Sequence, residues 1–280
     1  MSSLEKLYQS PLETAGEFAV VVSGAAGAVR QKPTHVPHDL TLMQVHASTP
    51  VYAKCTAETG CLSIEATNLG TGDTRIYFLP WSQTSIYRIR PKAGNTPGLN
   101  GNLFLTPNLD GCMVTVEGTP QNPTVYHANA SNAPLTADEQ DLLDRAMGAT
   151  NEGFVENVIK IDKMKTNQAV FSAIPPKNPP PPVLNPPDKA HFDLLEYDRG
   201  STTRFTPNAF GLSDMTQSLH YGTVFGVRKN GAWTFYKQSY RIVRRKWYVE
   251  DRGFLGFGKP QLVERETYKY NVASIRKFWP

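Results

Sequence analysis

Residues 103–127 read LFLTPNLDGCMVTVEGTPQNPTVYH, and our interpretation of the chain starts from this stretch. It contains three short runs rich in β-branched, aliphatic and aromatic residues, which are separated by Pro, Gly, Asn and Asp: 103–106, 113–116 and 124–127. Runs of this kind, bounded by turn residues, are typical of β-strands. The stretch therefore predicts strands joined by turns. We expect a loop over 117–123, because this link contains a glycine and two prolines.

The same pattern continues on both sides of this stretch. Similar runs predict strands over 51–53, 62–64, 75–79, 86–89, 223–227, 233–236 and 240–249. Between two of these runs, Asn230 and Gly231 predict a tight hairpin, since both residues tolerate the positive φ angles of such a turn. We predict helices over 2–30 and, from a capping box at Thr136 and Glu139, over 136–148. The prediction is an α+β fold, a mostly antiparallel mixed β-sandwich flanked by helices.

Changes in composition divide the chain into four parts. We predict an N-terminal helix with an extended lead-in over 1–39, a catalytic core over 40–174, a polyproline loop over 175–187, and a β-rich basic part over 188–280 that packs on the core. The segment 175–187 reads PPKNPPPPVLNPP. Such a run adopts the extended polyproline conformation. It is either a semi-rigid surface connection or a ligand for an SH3-type groove.

Composition excludes several classes of protein. Among 280 residues, 40% are hydrophobic and 19% are charged, which is enough for a globular core and argues against disorder. Three cysteines exclude a disulfide-dense scaffold and a zinc site of four thiolates. Residues 188–280 carry 16 Lys and Arg against 9 Asp and Glu, a net charge of +7, whereas the whole chain carries +4. The basic C-terminal part favours acidic partners.

The N-terminal region has some features of a signal peptide. The apolar run 19–29 resembles the hydrophobic part of one, but three glutamates and a single lysine precede it, whereas a signal peptide has a positive start. We therefore predict a packed helix there. No run of about 18–20 apolar residues predicts a membrane span, so we expect no membrane partner.

Cys55 and Cys61 lie on either side of the predicted turn at Thr59 and Gly60. A hairpin brings such residues near each other, so a cross-strand disulfide is one reading. Two unpaired thiols in a reducing compartment are the other.

Cys112 directly precedes the run 113–116, and His127 ends the run 124–127. If the hairpin is centred between Thr119 and Pro120, opposed residues have numbers that sum to 239, which places Cys112 across from His127. Directly opposed residues have Cβ atoms about 4.5–5.5 Å apart on the same face of a sheet. The sequence thus predicts a thiol next to an imidazole, provided that this register is correct.

A cysteine beside a histidine has a chemical use, because the imidazole takes the thiol proton and creates a nucleophile. Backbone N–H groups of the turn at Asp110 and Gly111 are candidates for an oxyanion hole. Thr106 is a candidate to orient the imidazole through its second ring nitrogen. The competing reading is a small buried cysteine and a satisfied polar histidine. We expect no metal site, since no neighbouring motif supplies two further ligands.

These residues carry a resemblance to a known family. Thr106, the stretch Leu109-Asp110-Gly111-Cys112 and His127 resemble the active site of the bacterial glutamine deamidase superfamily, which includes the cytotoxic necrotizing factors and the CheD-type chemotaxis deamidases. The segment Leu79-Pro80-Trp81-Ser82-Gln83 is similar to a Leu-Pro-Trp segment of Burkholderia lethal factor 1, the member that the chain resembles in particular. The likeness covers roughly 40–130, and it implies a fold of this deamidase type.

The resemblance implies a bacterial effector or toxin, a hydrolase that deamidates a glutamine of a host protein. Cys112 would be the nucleophile, His127 the base and Thr106 its partner, without a cofactor. Trp81 either lines the glutamine slot, with Asp110 and Gly111, or packs in the core. We expect delivery into the host cytoplasm by a route without a signal peptide.

Two alternatives stay open: a transglutaminase or other thiol hydrolase with the same pair of residues, and a non-enzymatic β-rich module that binds protein or RNA. We do not expect RNA as a partner. The basic cluster of Arg241, Arg244, Arg245 and Lys246 is either a solvated strand face or a docking surface for an acidic substrate protein.

Overall fold

The computed structural model of the chain describes eleven segments: 1–24, 34–35, 43–45, 51–67, 74–81, 85–92, 98–129, 189–192, 194–197, 202–251 and 261–280. The predicted helix over 136–148 and the polyproline segment 175–187 lie outside the described residues.

The fold is rich in β-strands, as the sequence predicted. Three short helices are described: α1 (Ser3–Gln9), α2 (Pro11–Glu17) and α3 (Leu194–Tyr197). The first ten strands are β1 (Ala19–Ser23), β2 (Thr34–His35), β3 (Met43–Val45), β4 (Val51–Glu58), β5 (Cys61–Thr67), β6 (Thr74–Phe78), β7 (Ser85–Ile89), β8 (Leu103–Leu105), β9 (Met113–Thr119) and β10 (Asn122–Asn129). The last five are β11 (Lys189–Phe192), β12 (Thr202–Pro207), β13 (Ser213–Lys229), β14 (Ala232–Asp251) and β15 (Gln261–Trp279).

The described strands form two sheets. The first has the order β1-β5-β4-β6-β8-β13-β14-β15, and β12 joins it on the free edge of β13. The second has the order β11-β9-β10-β7-β3-β2. Most neighbours are antiparallel, and the parallel pairs are β1 with β5, β6 with β8, and β3 with β7. Strands from the N-terminal, middle and C-terminal parts of the chain therefore share the first sheet.

Strand β8 separates two apolar clusters. Leu103 and Leu105 belong to a cluster that also contains Leu4 and Leu7 of α1. Phe104, which alternates to the other face, belongs to a second cluster that contains Val114 of the second sheet. This alternation is what a strand with both faces buried produces. The second cluster joins the two sheets, and the candidate site lies beside it.

The hairpin between β13 and β14 confirms the Asn-Gly prediction. Lys229 pairs with Ala232, so Asn230 and Gly231 form a two-residue turn. Their φ angles are 51° and 82°, the positive values that this type of turn requires.

The prediction of one helix over 2–30 is wrong. Pro11 starts a second short helix, and the chain then forms β1, which pairs in parallel with β5. Three consecutive valines, at positions 20–22, favour a strand because β-branched side chains fit a pleated surface. Side chains satisfy the outer N–H groups of this edge strand: Gln238 Oε1 accepts from Val20 N at 2.8 Å, and Asn108 Oδ1 accepts from Val22 N at 2.9 Å.

The predicted loop over 117–123 is also shorter in the structure. Strand β9 continues to Thr119 and β10 begins at Asn122, so only Pro120 and Gln121 form the turn. Gly118 makes this possible, because its φ of 98° is in the region that favours glycine. The pairing of Thr119 with Asn122 fixes the register of the whole hairpin.

Strands β13, β14 and β15 are long, and their outer parts leave the core. Residues 202–221, 241–251 and 261–272 contain no fully buried side chain. We name this four-stranded extension, formed by β12 with the outer parts of β13, β14 and β15, the arm. In the described part of the chain, no helix combines the length and the apolar content that crossing a membrane would need.

Candidate functional site

The register of the β9–β10 hairpin corrects the predicted opposition of Cys112 and His127. Val114 lies opposite His127, so paired residues sum to 241 rather than 239. The turn is centred one residue later than expected, between Pro120 and Gln121. A change of two in this sum preserves the face of the sheet. Cys112 directly precedes β9, and continuing the register by one residue makes it a diagonal neighbour of His127. The Cα atoms of such neighbours lie about 7–8 Å apart.

Thr106 makes the contact with His127 that the sequence analysis proposed. Its Oγ1 lies 2.6 Å from His127 Nδ1, and both residues are fully buried. Thr106 follows β8 of the first sheet, whereas His127 belongs to β10 of the second. The bond thus connects the two sheets beside the second apolar cluster.

The second hydrogen bond of Thr106 fixes the tautomer of His127. Thr106 Oγ1 donates to the backbone oxygen of Leu79 at 2.8 Å, which uses its single hydrogen. Its oxygen must then accept from the imidazole, so Nδ1 carries the ring proton. In the neutral ring, Nε2 therefore holds a lone pair, which is the form that accepts a proton from a nucleophile.

His127 Nε2 is buried and has no hydrogen-bond partner among the described residues. Leaving a buried polar atom unsatisfied costs about 1–3 kcal/mol, and such atoms are uncommon in native proteins. The atom is therefore a candidate for a role that a substrate or a reacting group would satisfy.

Burial also controls the charge of this imidazole. His127 has no exposed surface, and burial lowers its pKa from the usual 6.5 to about 3. Burial has this effect because it disfavours the charged form of a base. His127 is therefore neutral near pH 7.

Cys112 is 5% exposed and belongs to the second apolar cluster. Its Sγ makes a weak contact of 4.0 Å with the backbone oxygen of Asp110. Because His127 Nε2 has no described partner, the thiol and the imidazole are not hydrogen-bonded to each other. The thiol is on the correct face but does not form the predicted direct contact.

The segment that leads to Cys112 is held from several sides. Leu109 forms two backbone hydrogen bonds with Gly222 of β13, at 2.7 and 3.1 Å. A side chain at Gly222 would lie 2.7 Å from the ring of Phe192, which explains the glycine. The hydroxyl of Tyr197 donates to the backbone oxygen of Cys112 at 3.0 Å. The position of the thiol is therefore set by both sheets and by α3.

The other predicted site residues lie next to these groups along the chain. Gly111 has a φ of 78°, so the backbone turns sharply just before Cys112. Asp110 is half-buried. Trp81 is also half-buried. It lies two residues after Leu79, whose backbone oxygen accepts the hydrogen bond from Thr106. The structure brings Thr106, His127 and Cys112 to one region. Trp81 and Asp110 lie close along the chain to residues of that region.

Cys55 and Cys61 are free thiols. Cys55 pairs with Ile64 and packs against the first cluster, whereas Cys61 pairs with Glu58 and belongs to another cluster. Burial raises the pKa of Cys55 to about 11. Of the two alternatives, the structure agrees with unpaired thiols rather than a disulfide. The side chains of Cys55 and Cys61 point to opposite faces of the sheet.

Sequence reasoning missed Tyr197, Gly222 and the backbone oxygen of Leu79. Tyr197 is separated by 85 residues from the backbone group it contacts, and no spacing in the sequence signals such a long-range contact. The described residues contain no group of three or more side chains able to hold a metal ion.

Neither a scan against models of protein families nor a search of curated proteins found a match.

Proposed function

We propose that the protein is a cysteine hydrolase that converts a glutamine side-chain amide of a protein substrate to a carboxylate. Cys112 is the nucleophile and His127 is the base in this proposal. One observation carries it: Thr106 holds the imidazole with Nε2 unprotonated, without a described partner, on the face of the sheet that Cys112 shares.

The first half of the reaction forms a thioester. Cys112 Sγ attacks the carboxamide carbon while His127 Nε2 accepts the thiol proton, and the amide oxygen becomes an oxyanion. Collapse of this intermediate breaks the C–N bond, and the imidazolium returns its proton to the departing ammonia. Because burial opposes an isolated imidazolium, proton transfer is coupled to the attack rather than preceding it.

The second half consumes water. His127 Nε2 removes a proton from a water molecule that attacks the thioester carbon. The C–S bond breaks, and the sulfur regains its proton from the imidazolium. The net change converts a glutamine and water to a glutamate and ammonia. An amine in place of water would instead give a substituted amide, the transglutaminase outcome.

The substrate needs donors for its oxyanion and a slot for its side chain. The backbone N–H groups of the turn at Asp110 and Gly111 are the proposed donors, since the turn directly precedes the sulfur. Trp81 is the proposed wall of the slot. Because Cys112 is only 5% exposed, the proposal includes an opening of this segment when the amide binds.

The resemblance to the glutamine deamidase superfamily supports the choice of an amide substrate. We infer the finer fold from it as well: a β-sandwich with flanking helices of the type found in the necrotizing factors and CheD. The same resemblance suggests a secreted virulence effector that acts on a host protein in the host cytoplasm.

A second candidate function is a non-enzymatic binding module. The burial of Cys112 in an apolar cluster favours it, because small buried thiols are common core residues. In that case His127 is a core histidine whose bond to Thr106 joins the sheets, and function is carried by another surface.

Mass spectrometry of host-cell lysate separates the two candidates. Lysate is treated with the wild-type protein, with Cys112→Ala, and with Cys55→Ala as a matched control on a distant face. We expect Gln-to-Glu conversion with the wild type and the control and none with Cys112→Ala. Conversion by Cys112→Ala, or no conversion by the wild type, would overturn the enzymatic proposal. Ammonia release without amine incorporation distinguishes deamidation from transglutamination.

A further inference from the structure

The arm has two chemically different faces. Alternation along β14 places Arg241 and Arg245 on one face and Arg244 and Lys246 on the other. The basic cluster seen in the sequence is therefore two separate groups of residues.

The cations on one face are neutralised. Arg244 forms an ion pair with Glu266, and Lys246 Nζ lies 2.9 Å from Glu264 Oε1. Together with Glu250, this face has two cations and three carboxylates, a net charge of −1. We name it the paired face. It also carries the three exposed large apolar side chains of the arm strands: Phe205, Leu262 and Tyr268.

The cations on the opposite face are concentrated. The strand registers place five of them there: Arg204, Arg241, Arg245, Arg265 and Lys269. All five are exposed, and the only carboxylates on this face among the described residues are Asp214 and Asp251. The net charge is therefore +3, and we name this side the basic face. Only Arg265 has a carboxylate within ion-pair distance in the described residues, Asp251 at 3.7 Å.

The side chains between these cations include hydroxyls, one indole and three half-buried valines, Val243, Val249 and Val263. Five Thr and Ser residues belong to the basic face: Thr202, Thr206, Thr216, Ser218 and Thr267. Trp247 is half-buried, and the guanidinium of Arg245 lies 5.5 Å from its ring centre. Guanidinium groups bind phosphates through two hydrogen bonds, hydroxyls also contact phosphates, and an indole face stacks on a base.

The spacing of the charges fits an extended polyanion. Residues on one face recur about every 7 Å along a strand, and neighbouring strands lie about 4.8 Å apart. Arg241 and Arg245 are thus about 14 Å apart along β14, and Arg204 lies two strands from Arg245, about 10 Å away. An acidic protein surface would favour an exposed apolar centre. The exposed large apolar side chains of the arm strands lie on the paired face instead, whereas the valines of the basic face are half-buried.

We propose that the basic face of the arm binds single-stranded nucleic acid, with phosphates on its guanidinium groups and a base stacked on Trp247. This proposal departs from the sequence-based expectation of no RNA partner, since composition does not separate the two faces of the arm. The proposal does not depend on the enzymatic function, since Cys112 and His127 lie outside the arm.

Fluorescence anisotropy with a labelled fifteen-nucleotide oligothymidylate tests this inference on the full chain, with an oligouridylate of equal length to compare DNA with RNA. We expect binding that weakens with salt, with a slope of log affinity against log salt of about −2 to −3 if three or four phosphates are neutralised. Quenching of tryptophan fluorescence should accompany binding and should be reduced in Trp247→Leu, together with an affinity loss of about fivefold or more.

The two faces supply matched variants. Arg241→Gln with Arg245→Gln removes two charges from the basic face and should weaken binding about tenfold. Arg244→Gln with Lys246→Gln removes two charges from the paired face and should change affinity by less than about twofold. Urea unfolding of all variants verifies that each is folded. Cys112→Ala should bind like the wild type, which keeps this test separate from that of the enzymatic proposal.

Three results would overturn the inference. Equal weakening by both double variants would show that only net charge matters. Competition by a polyglutamate peptide as strong as by the oligonucleotide would indicate an acidic protein partner. No binding at low salt would exclude a nucleic-acid site on this face.

Discussion

The inner and outer parts of β14 have the same backbone pattern and opposite surroundings. In the inner part, Trp233 and Phe235 have no exposed surface and pack in the cluster beside Cys112. In the outer part, Arg241 and Arg245 are exposed. Burial of apolar surface is the main source of stability. The inner end of β14 therefore contributes to stability and to the geometry of the candidate site, whereas its outer end presents an exposed charged surface.

The two tryptophans of β14 give the largest expected contrast. Trp233→Ala should reduce the free energy of unfolding by about 3–5 kcal/mol, because it leaves a cavity in a closed core. Trp247→Ala should reduce it by less than about 1 kcal/mol, because the arm is open to water. Urea denaturation of both variants measures the difference. Similar losses would mean that the arm is packed against another part of the chain.

Thr106 tests whether the bond between the sheets is as important as the packing around it. Thr106→Val leaves the Nδ1 hydrogen of His127 and the oxygen of Leu79 without this partner, and should cost about 2 kcal/mol or more of stability. Thr106→Ser keeps the hydroxyl and should lose less than half of that. Urea unfolding provides the values, and a valine variant as stable as wild type would refute the assigned contact.

The charge state of the buried His127 makes the stability of the protein depend on pH. Below pH about 6.5 the unfolded chain protonates this imidazole, whereas the native one, with its pKa of about 3, stays neutral. Stability attributable to His127 is therefore complete above the unfolded pKa. It is lost as the pH falls, by about 1.4 kcal/mol per pH unit, until the native pKa is reached.

The difference between wild type and His127→Gln isolates this contribution. Urea unfolding from pH 7 to 5 should show a wild-type curve that falls more steeply than that of the variant, since carboxylates contribute equally to both. Parallel curves would mean that the native imidazole is accessible to protons.

The smallest effect is expected on the paired face of the arm. Lys246→Gln removes one side of the contact with Glu264 and should leave the urea midpoint unchanged, because water screens exposed ion pairs. A clear loss of stability would show that these charges are organised into a structural network.

Local signals predicted most strands and the Asn-Gly hairpin, because alternation and turn chemistry act over a few residues. They failed over 19–23, where Val20 and its neighbours look compatible with a helix until pairing with β5 is known. The contact between Thr106 and His127 was predicted, but the register of the β9–β10 hairpin was not. Whether the chain turns at Thr119 or one residue later depends on Gly118 and on the bond from Trp233 N to Pro120 O, a contact from a distant strand. Tyr197 and Gly222 also contact residues that are distant in the sequence, so local patterns do not predict these contacts.

Labelling with an electrophilic analogue of glutamine, a diazoketone that alkylates an activated thiol, tests the central claim most directly. Mass spectrometry of the digested protein compares Cys112 with Cys55 and Cys61, which are internal controls in the same chain. We predict labelling of Cys112 in the folded wild type and its loss in His127→Gln and Thr106→Val variants that remain folded. Labelling of all three cysteines at similar rates, or of Cys112 only after unfolding, would contradict a nucleophile at this position.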